Sequence, residues 1–135
     1  MIIPILACAD IETSSRFYTE NLEFTEAFRM PGESGPMFAM VSLTPSAFIG
    51  LSYQPNEPAG KGRGVVAMVY VPDDCDIDAY YERVRSKGTT ITREIVDEFW
   101  GDRVFMVSDP DGFSIQLCKT IRSVPPEEIN AASGS

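Results

Sequence analysis

The chain has 135 residues, 44% hydrophobic and 23% charged, with a net charge of −9 and no histidine. This suits one domain with a core of its own. It argues against a nucleic-acid binder, which needs basic residues to displace counterions from phosphate. The acidity favours a cationic small molecule over an anionic one, unless the charge serves solubility alone.

Ile2 to Cys8 reads as an apolar strand that stops before Asp10, a good helix N-cap. Ile11, Phe17, Tyr18 and Leu22 then recur at helical spacing. Strand-like runs follow at Phe24 to Arg29, Met37 to Leu43 and Phe48 to Tyr53, with a Thr44-Pro45-Ser46 turn between the last two. The stretch from Gln54 to Gly64 carries two prolines and three glycines and reads as a linker; its Gly60-Lys61-Gly62-Arg63-Gly64 run does not join a strand to a helix as a phosphate loop must.

The pattern then repeats. Val65 to Val71 is a second apolar run, broken by Pro72-Asp73-Asp74, and Ile77, Tyr80, Tyr81 and Val84 form a helical face that Gly88 closes. Strands are expected at Thr90 to Val96, Arg103 to Ser108 and Phe113 to Lys119, with an Asp109-Pro110-Asp111-Gly112 turn. The halves align without a gap: Ile3 falls on Val66, Asp10 on Asp73, and Phe17-Tyr18 on Tyr80-Tyr81. An internal duplication accounts for this better than chance. The expected organisation is a single domain over 1–122, with module one at 1–54, a linker at 55–64 and module two at 65–122, followed by a polar, irregular tail at 123–135.

Cys8, Cys75 and Cys118 are odd in number and lack metal-type spacing, as expected of reduced thiols. Met1-Ile2-Ile3-Pro4 lacks the basic stretch of a secretion signal, and no run is long enough to cross a bilayer, so a cytoplasmic protein is expected.

A doubled β-α-β-β-β chain with Asp-Ile-Glu-x-Ser-x-x-Phe-Tyr in its first half and Trp-Gly-x-Arg-x-Phe-x-Val-x-Asp-Pro-Asp-Gly in its second resembles the vicinal oxygen chelate superfamily. That superfamily holds glyoxalase I, the extradiol dioxygenases, the fosfomycin-resistance enzymes and the bleomycin-resistance proteins. The resemblance runs from Ile3 to about Lys119, and Glu98-Phe99-Trp100-Gly101 is similar to the bleomycin-resistance branch. It implies an α+β fold in which two βαβββ modules form a curved mixed sheet around a cleft. The strands are too uniformly apolar to show which residues face inward. The resemblance implies that Ile3, Ile5, Ala7, Val66, Met68 and Tyr70 face the cleft, while Pro4, Leu6, Cys8, Ala67, Val69 and Val71 pack outward.

The enzymes of that superfamily hold a divalent metal at four symmetric positions. The equivalents here are Ile3, Val66, the Gly50 to Ser52 stretch and Gln116, which together offer one weak amide oxygen where three or four ligands are needed. No metal and no cofactor are therefore expected. Without histidine, Ser-His and Cys-His nucleophiles are also absent, and no catalytic residue stands out.

What remains is an apolar cleft edged with aromatics. The resemblance implies that Trp100 stacks on a flat ligand, with Phe38 as its partner from the first half. Met40, Tyr53, Met68 and Tyr70 are further lining candidates, with ordinary core packing as the alternative for each. Arg103 is a candidate for a ligand carbonyl or carboxylate, or else for a surface pair with Glu98. Gln116 is a candidate hydrogen-bond partner where the enzymes place their metal. The expected function is metal-free sequestration of an aromatic, cationic natural product such as a bleomycin-type antibiotic, in a homodimer with clefts across the subunit contact. The alternative is a cofactor-free isomerase or cyclase using Tyr53, Tyr70 or Glu98 as acid or base. A metal-dependent lyase or dioxygenase ranks below both.

Overall fold

The computed structural model describes residues 1–57 and 62–132. Residues 58–61 of the expected linker, and 133–135 of the expected tail, lie outside the described residues.

Module one runs β1 (Ile5–Cys8), α1 (Ile11–Arg16), β2 (Thr25–Gly32), β3 (Gly35–Thr44) and β4 (Ala47–Tyr53). Module two runs β5 (Val66–Tyr70), α2 (Ile77–Ser86), β6 (Ile91–Asp97), β7 (Asp102–Ser108) and β8 (Ser114–Thr120). Each module makes its own four-stranded sheet, ordered β1-β4-β3-β2 and β5-β8-β7-β6. In each, the first strand pairs in parallel with the last and the other pairings are antiparallel. The α+β class and both βαβββ modules are therefore present.

Local chemistry explains the helix boundaries. Asp10 caps α1 through its side chain to Thr13 N, and Asp76 caps α2 through Asp78 N and Ala79 N. The second cap is Asp76 rather than Asp73, the gapless equivalent of Asp10, because Pro72-Asp73-Asp74-Cys75 forms a turn closed by Cys75 N on Pro72 O. After α1 the chain continues as a π-helical turn over Phe17–Asn21, which the periodicity does not reveal. The tail is another difference. Pro126–Ala132 is a helix, α3, begun by a proline and two acidic residues that suit an N-terminus.

The helix-facing sides of both sheets share one core. Leu6, Cys8, Ile49 and Leu51 from module one join Val69, Phe105, Ile115 and Leu117 from module two, with Tyr18, Tyr80 and Tyr81 from the helical segments. Phe105 receives the rings of Tyr81 and Tyr80 at 4.9 and 5.7 Å. Polar bonds also tie the modules. Tyr18 donates to Asp109 at 2.8 Å, Ser14 Oγ and Ala9 N donate to Asp111 at 3.0 and 2.9 Å, and Tyr80 donates to Leu22 O at 2.7 Å. The Asp-Pro-Asp-Gly turn thus works as a clasp on the first helix. Among the described residues, no helix is long and apolar enough to cross a membrane.

Candidate functional site

Strand alternation gives every sheet a second face, turned away from the helices. On sheet one, the register aligns Ile5, Gly50, Met40 and Phe28 in one row and Ala7, Ser52, Phe38 and Met30 in the next. On sheet two, the rows are Met68, Gln116 and Met106, then Tyr70, Cys118 and Val104. These faces are only partly covered within the chain: Val104 and Cys118 are fully buried, but Ile5 is 64% exposed, Phe28 48%, Met68 51% and Tyr70 46%. Apolar residues left in water on this scale mark a contact surface. Of the sets assigned to β1 and β5, Leu6, Cys8, Val69 and Val71 are buried and Ile5, Val66, Met68 and Tyr70 exposed, but Pro4, expected to pack under the helix, is exposed before β1 begins, and Ile3, Ala7 and Ala67 are intermediate.

Phe38 owes its place to Gly50. A Cβ on Gly50 would come within 3.0 Å of the Phe38 ring and 3.3 Å of Ile5 Cγ1, so the missing side chain lets the ring lie flat across the strand. Phe28 lies beside Phe38, with ring centroids 6.4 Å apart. Neither Phe28 nor Met30 was flagged by the sequence. A bulge between Glu26 and Phe28 puts Glu26 toward Ser15 on the helix and Phe28 on the open face, although simple alternation would give both the same side.

Trp100 stands in the turn between β6 and β7, which Glu98 and Gly101 close by a backbone bond. Gly101 is required there twice over: its φ is +107°, and a Cβ would meet Arg122 O at 2.3 Å. The Trp100 indole is half-buried, edge-on to Phe99 at 5.0 Å, and donates to Asp102 Oδ2 at 3.1 Å. Tyr70 donates to the same oxygen at 2.6 Å. Phe38 and Met40 thus share one open face, and Met68, Tyr70, Trp100 and Gln116 gather on the other.

Two candidates fall elsewhere. Tyr53 ends β4 opposite Cys8, on the helix-facing side, where it borders a groove with Ile11 and Met37. Arg103 also lies on the helix-facing side, held by Asp97 at 2.6 Å and by Asp78 of α2 at 2.9 Å. The surface pair expected between Arg103 and Glu98 does not form, because Glu98 is paired with Arg93 instead.

The residues at the family's metal positions do not fit a metal. Val66 is an exposed hydrocarbon, and the Gln116 amide, 9% exposed, directs its Nε2 at Cys118 Sγ, 3.7 Å away. Among the described residues, no three His, Cys, Asp or Glu side chains are grouped to hold an ion. Acid–base and nucleophilic roles are poorly served as well. Burial pushes the Cys8 thiol up to about 12 and the Cys118 thiol up to about 11. The bond to Asp102, with burial behind it, pushes the Tyr70 hydroxyl up to about 12. Each keeps its proton at neutral pH.

Beside these faces, β1 and β5 are edge strands with one hydrogen-bonded neighbour each. A cavity of about 410 Å³ opens between them, walled by Leu6, Phe48, Val69, Tyr70 and Phe113.

Known proteins share this architecture. The Glyoxalase/Bleomycin resistance protein/Dioxygenase superfamily matches residues 3–117. An uncharacterised protein of Mycobacterium bovis is 28% identical over 138 residues, covering 98% of this chain and 91% of its own. Among solved structures, TioX from Micromonospora sp. ML1 superposes with a TM-score of 0.70 at 19% identity, over 89% of this chain and 98% of its own. TnmS3, an antibiotic binding protein from Streptomyces sp. CB03234, does so with a TM-score of 0.63 at 27% identity, over 87% and 93%. With the doubled module, the clasping turn and a family match across most of its length, the chain belongs to the glyoxalase/bleomycin resistance protein/dioxygenase superfamily.

Proposed function

We propose that the protein binds and sequesters an aromatic natural product, of the antibiotic kind, without metal and without altering it. The observation that carries this reading is the pair of open faces, which leave aromatic and methionine side chains half in water while the alternate residues of the same strands are fully buried. Rigid rings give large contact area at little entropic cost, and methionines adapt to irregular ligand shapes. The similarity to TnmS3, an antibiotic binding protein, supports the same reading. The ligand residues are Phe38 and Met40 on one face, and Met68, Tyr70, Trp100 and Gln116 on the other.

A homodimer completes the site. A second copy laid along the free edges of β1 and β5 would cover the exposed Ile5 and Val66, leaving each ligand cleft walled by the first module of one subunit and the second module of its partner. The working location is the cytoplasm.

The test is a titration of the purified protein with a bleomycin-type glycopeptide and a panel of planar antibiotics, followed by Trp100 fluorescence, with the ligand recovered afterwards. Saturable quenching and an unchanged ligand support sequestration. A chemically altered ligand would show an enzyme instead, and stoichiometric bound metal by elemental analysis would overturn the metal-free assignment.

A further inference from the structure

Asp102 opens β7 and is only 3% exposed. A carboxyl group in such a place is costly unless donors surround it. Three do. Tyr70 Oη and Trp100 Nε1 donate to Oδ2 at 2.6 and 3.1 Å, and Thr120 Oγ1 donates to Oδ1 at 2.8 Å. The donors come from β5, from the β6–β7 turn and from β8, so one oxygen atom sets two rings that the chain brings from separate elements.

We propose that Asp102 is the positioning residue of this face: it holds Tyr70 and Trp100 as a preset pair of rings with their polar hydrogens turned inward, which selects a planar ligand carrying positive charge. The proposal rests on the binding reading above. A phenol and an indole each have a single polar hydrogen, and both are spent on Asp102. A ligand therefore meets ring faces, the negative poles of the aromatic quadrupoles, with a carboxyl group behind them. Phe99, edge-on to Trp100, restrains the indole from another side. Rings already held in place lose little freedom when a ligand arrives. The net charge of −9 acts in the same direction at long range.

The test uses the full chain with Asp102→Asn and Asp102→Leu, and three measurements. The first is acrylamide quenching of Trp100. The second is an ultraviolet tyrosinate titration, with the Tyr70 component assigned by Tyr70→Phe. The third is binding of two planar dyes, cationic thioflavin T and anionic anilinonaphthalene sulfonate. The parent should prefer the cationic dye. Asp102→Leu should raise quenching and weaken that dye by about tenfold or more. Asp102→Asn keeps an acceptor for the rings, so quenching should stay low while the cationic preference shrinks. Both variants should bring the Tyr70 titration down toward the ordinary value of about 10. Unchanged quenching and titration in Asp102→Leu would overturn the positioning role. A cationic preference unaltered by Asp102→Asn would overturn the charge selection. If the parent binds neither dye but the antibiotic titration still quenches Trp100, the charge selection fails and the binding reading stands; if antibiotics fail as well, both fail, while quenching and titration still decide whether Asp102 holds the rings. Should Asp102→Leu not fold by circular dichroism, Asp102→Asn carries the titration and dye measurements.

Discussion

The hydroxyl of Tyr18 donates at 2.8 Å to the carboxyl of Asp109, joining the helical segment of one module to the turn before the last strand of the other. Asp109 also accepts from Asp111 N and Phe113 N, so its two oxygens hold its own turn and the neighbouring module at once. Tyr18→Phe would leave one buried oxygen without its donor. The expected cost is about 1–3 kcal/mol in urea denaturation, with the ligand faces unchanged.

The same pair makes stability depend on pH. Burial raises the Asp109 carboxyl above its ordinary 3.8, with the bond from Tyr18 and the two backbone bonds only partly opposing it. The folded protein therefore binds this proton more tightly than the unfolded chain. The contribution is fully present below 3.8 and is lost as pH rises through the higher folded value. Glu23 and Glu26 work in the opposite sense. The Arg83 and Arg29 guanidinium groups beside them hold both below 4.5, so their contribution is lost as pH falls. Asp109→Asn should remove the first effect alone. In denaturation series from about pH 3.5 to 7, the variant should gain on the parent as pH rises; a constant difference would rule out the titration of Asp109 as the cause.

Phe38 should respond to its glycine. Gly50→Val puts branched carbon where the ring now lies, 3.0 Å from the built Cβ. Gly50 is buried beneath Phe38 and Ile5, so the ring must swing outward to admit the new side chain, at a cost of about 1–3 kcal/mol, while affinity for any ligand found by the antibiotic titration drops about tenfold or more, as for Phe38→Ala. Affinity equal to the parent's in both variants would remove Phe38 from the site.

Gly101→Ala should be far more damaging than a surface change. The new methyl group would meet Arg122 O at 2.3 Å, and the backbone there has a φ of +107°. A loss of about 2–4 kcal/mol is expected, with a change in Trp100 emission as the turn moves.

Val66→Glu tests the dimer. Val66 is 47% exposed and stands outside the shared core, so a charge there should leave the chain folded and yield a monomer by sedimentation velocity. A stable dimer in this variant would place the subunit contact elsewhere.

Much of the fold was legible because the duplication repeats its signals. Asp10 before an apolar helical face, the paired aromatics Phe17-Tyr18 and Tyr80-Tyr81, and the turns between strands all fall on their elements. Which residues of β5 face outward was not legible from the residues, because Val66 to Tyr70 is apolar throughout; it came from the resemblance, and Val66, Met68 and Tyr70 are exposed as that implies. Tyr53 lies one residue beyond Ser52 and so points to the opposite side, a parity the sequence could have shown. Arg103 shares its parity with Phe105 and Val107 of the core, so it too belongs to the helix-facing set. Phe28 was hidden by a bulge, which no residue type announces. Asp102 was hidden because its donors lie on β5, in the β6–β7 turn and on β8, and only folding brings them together.

The alternation of β5 separates two kinds of work along five residues. Val69 is 6% exposed and belongs to the core, while its neighbours Met68 and Tyr70 face outward. On the binding reading, changes at Met68 should alter recognition at little cost to folding, whereas changes at Tyr70 also remove a donor from the buried Asp102. If the proposed binding holds, such a scaffold can exchange one ligand for another at positions like Met68, and its recognition can diversify faster than its architecture.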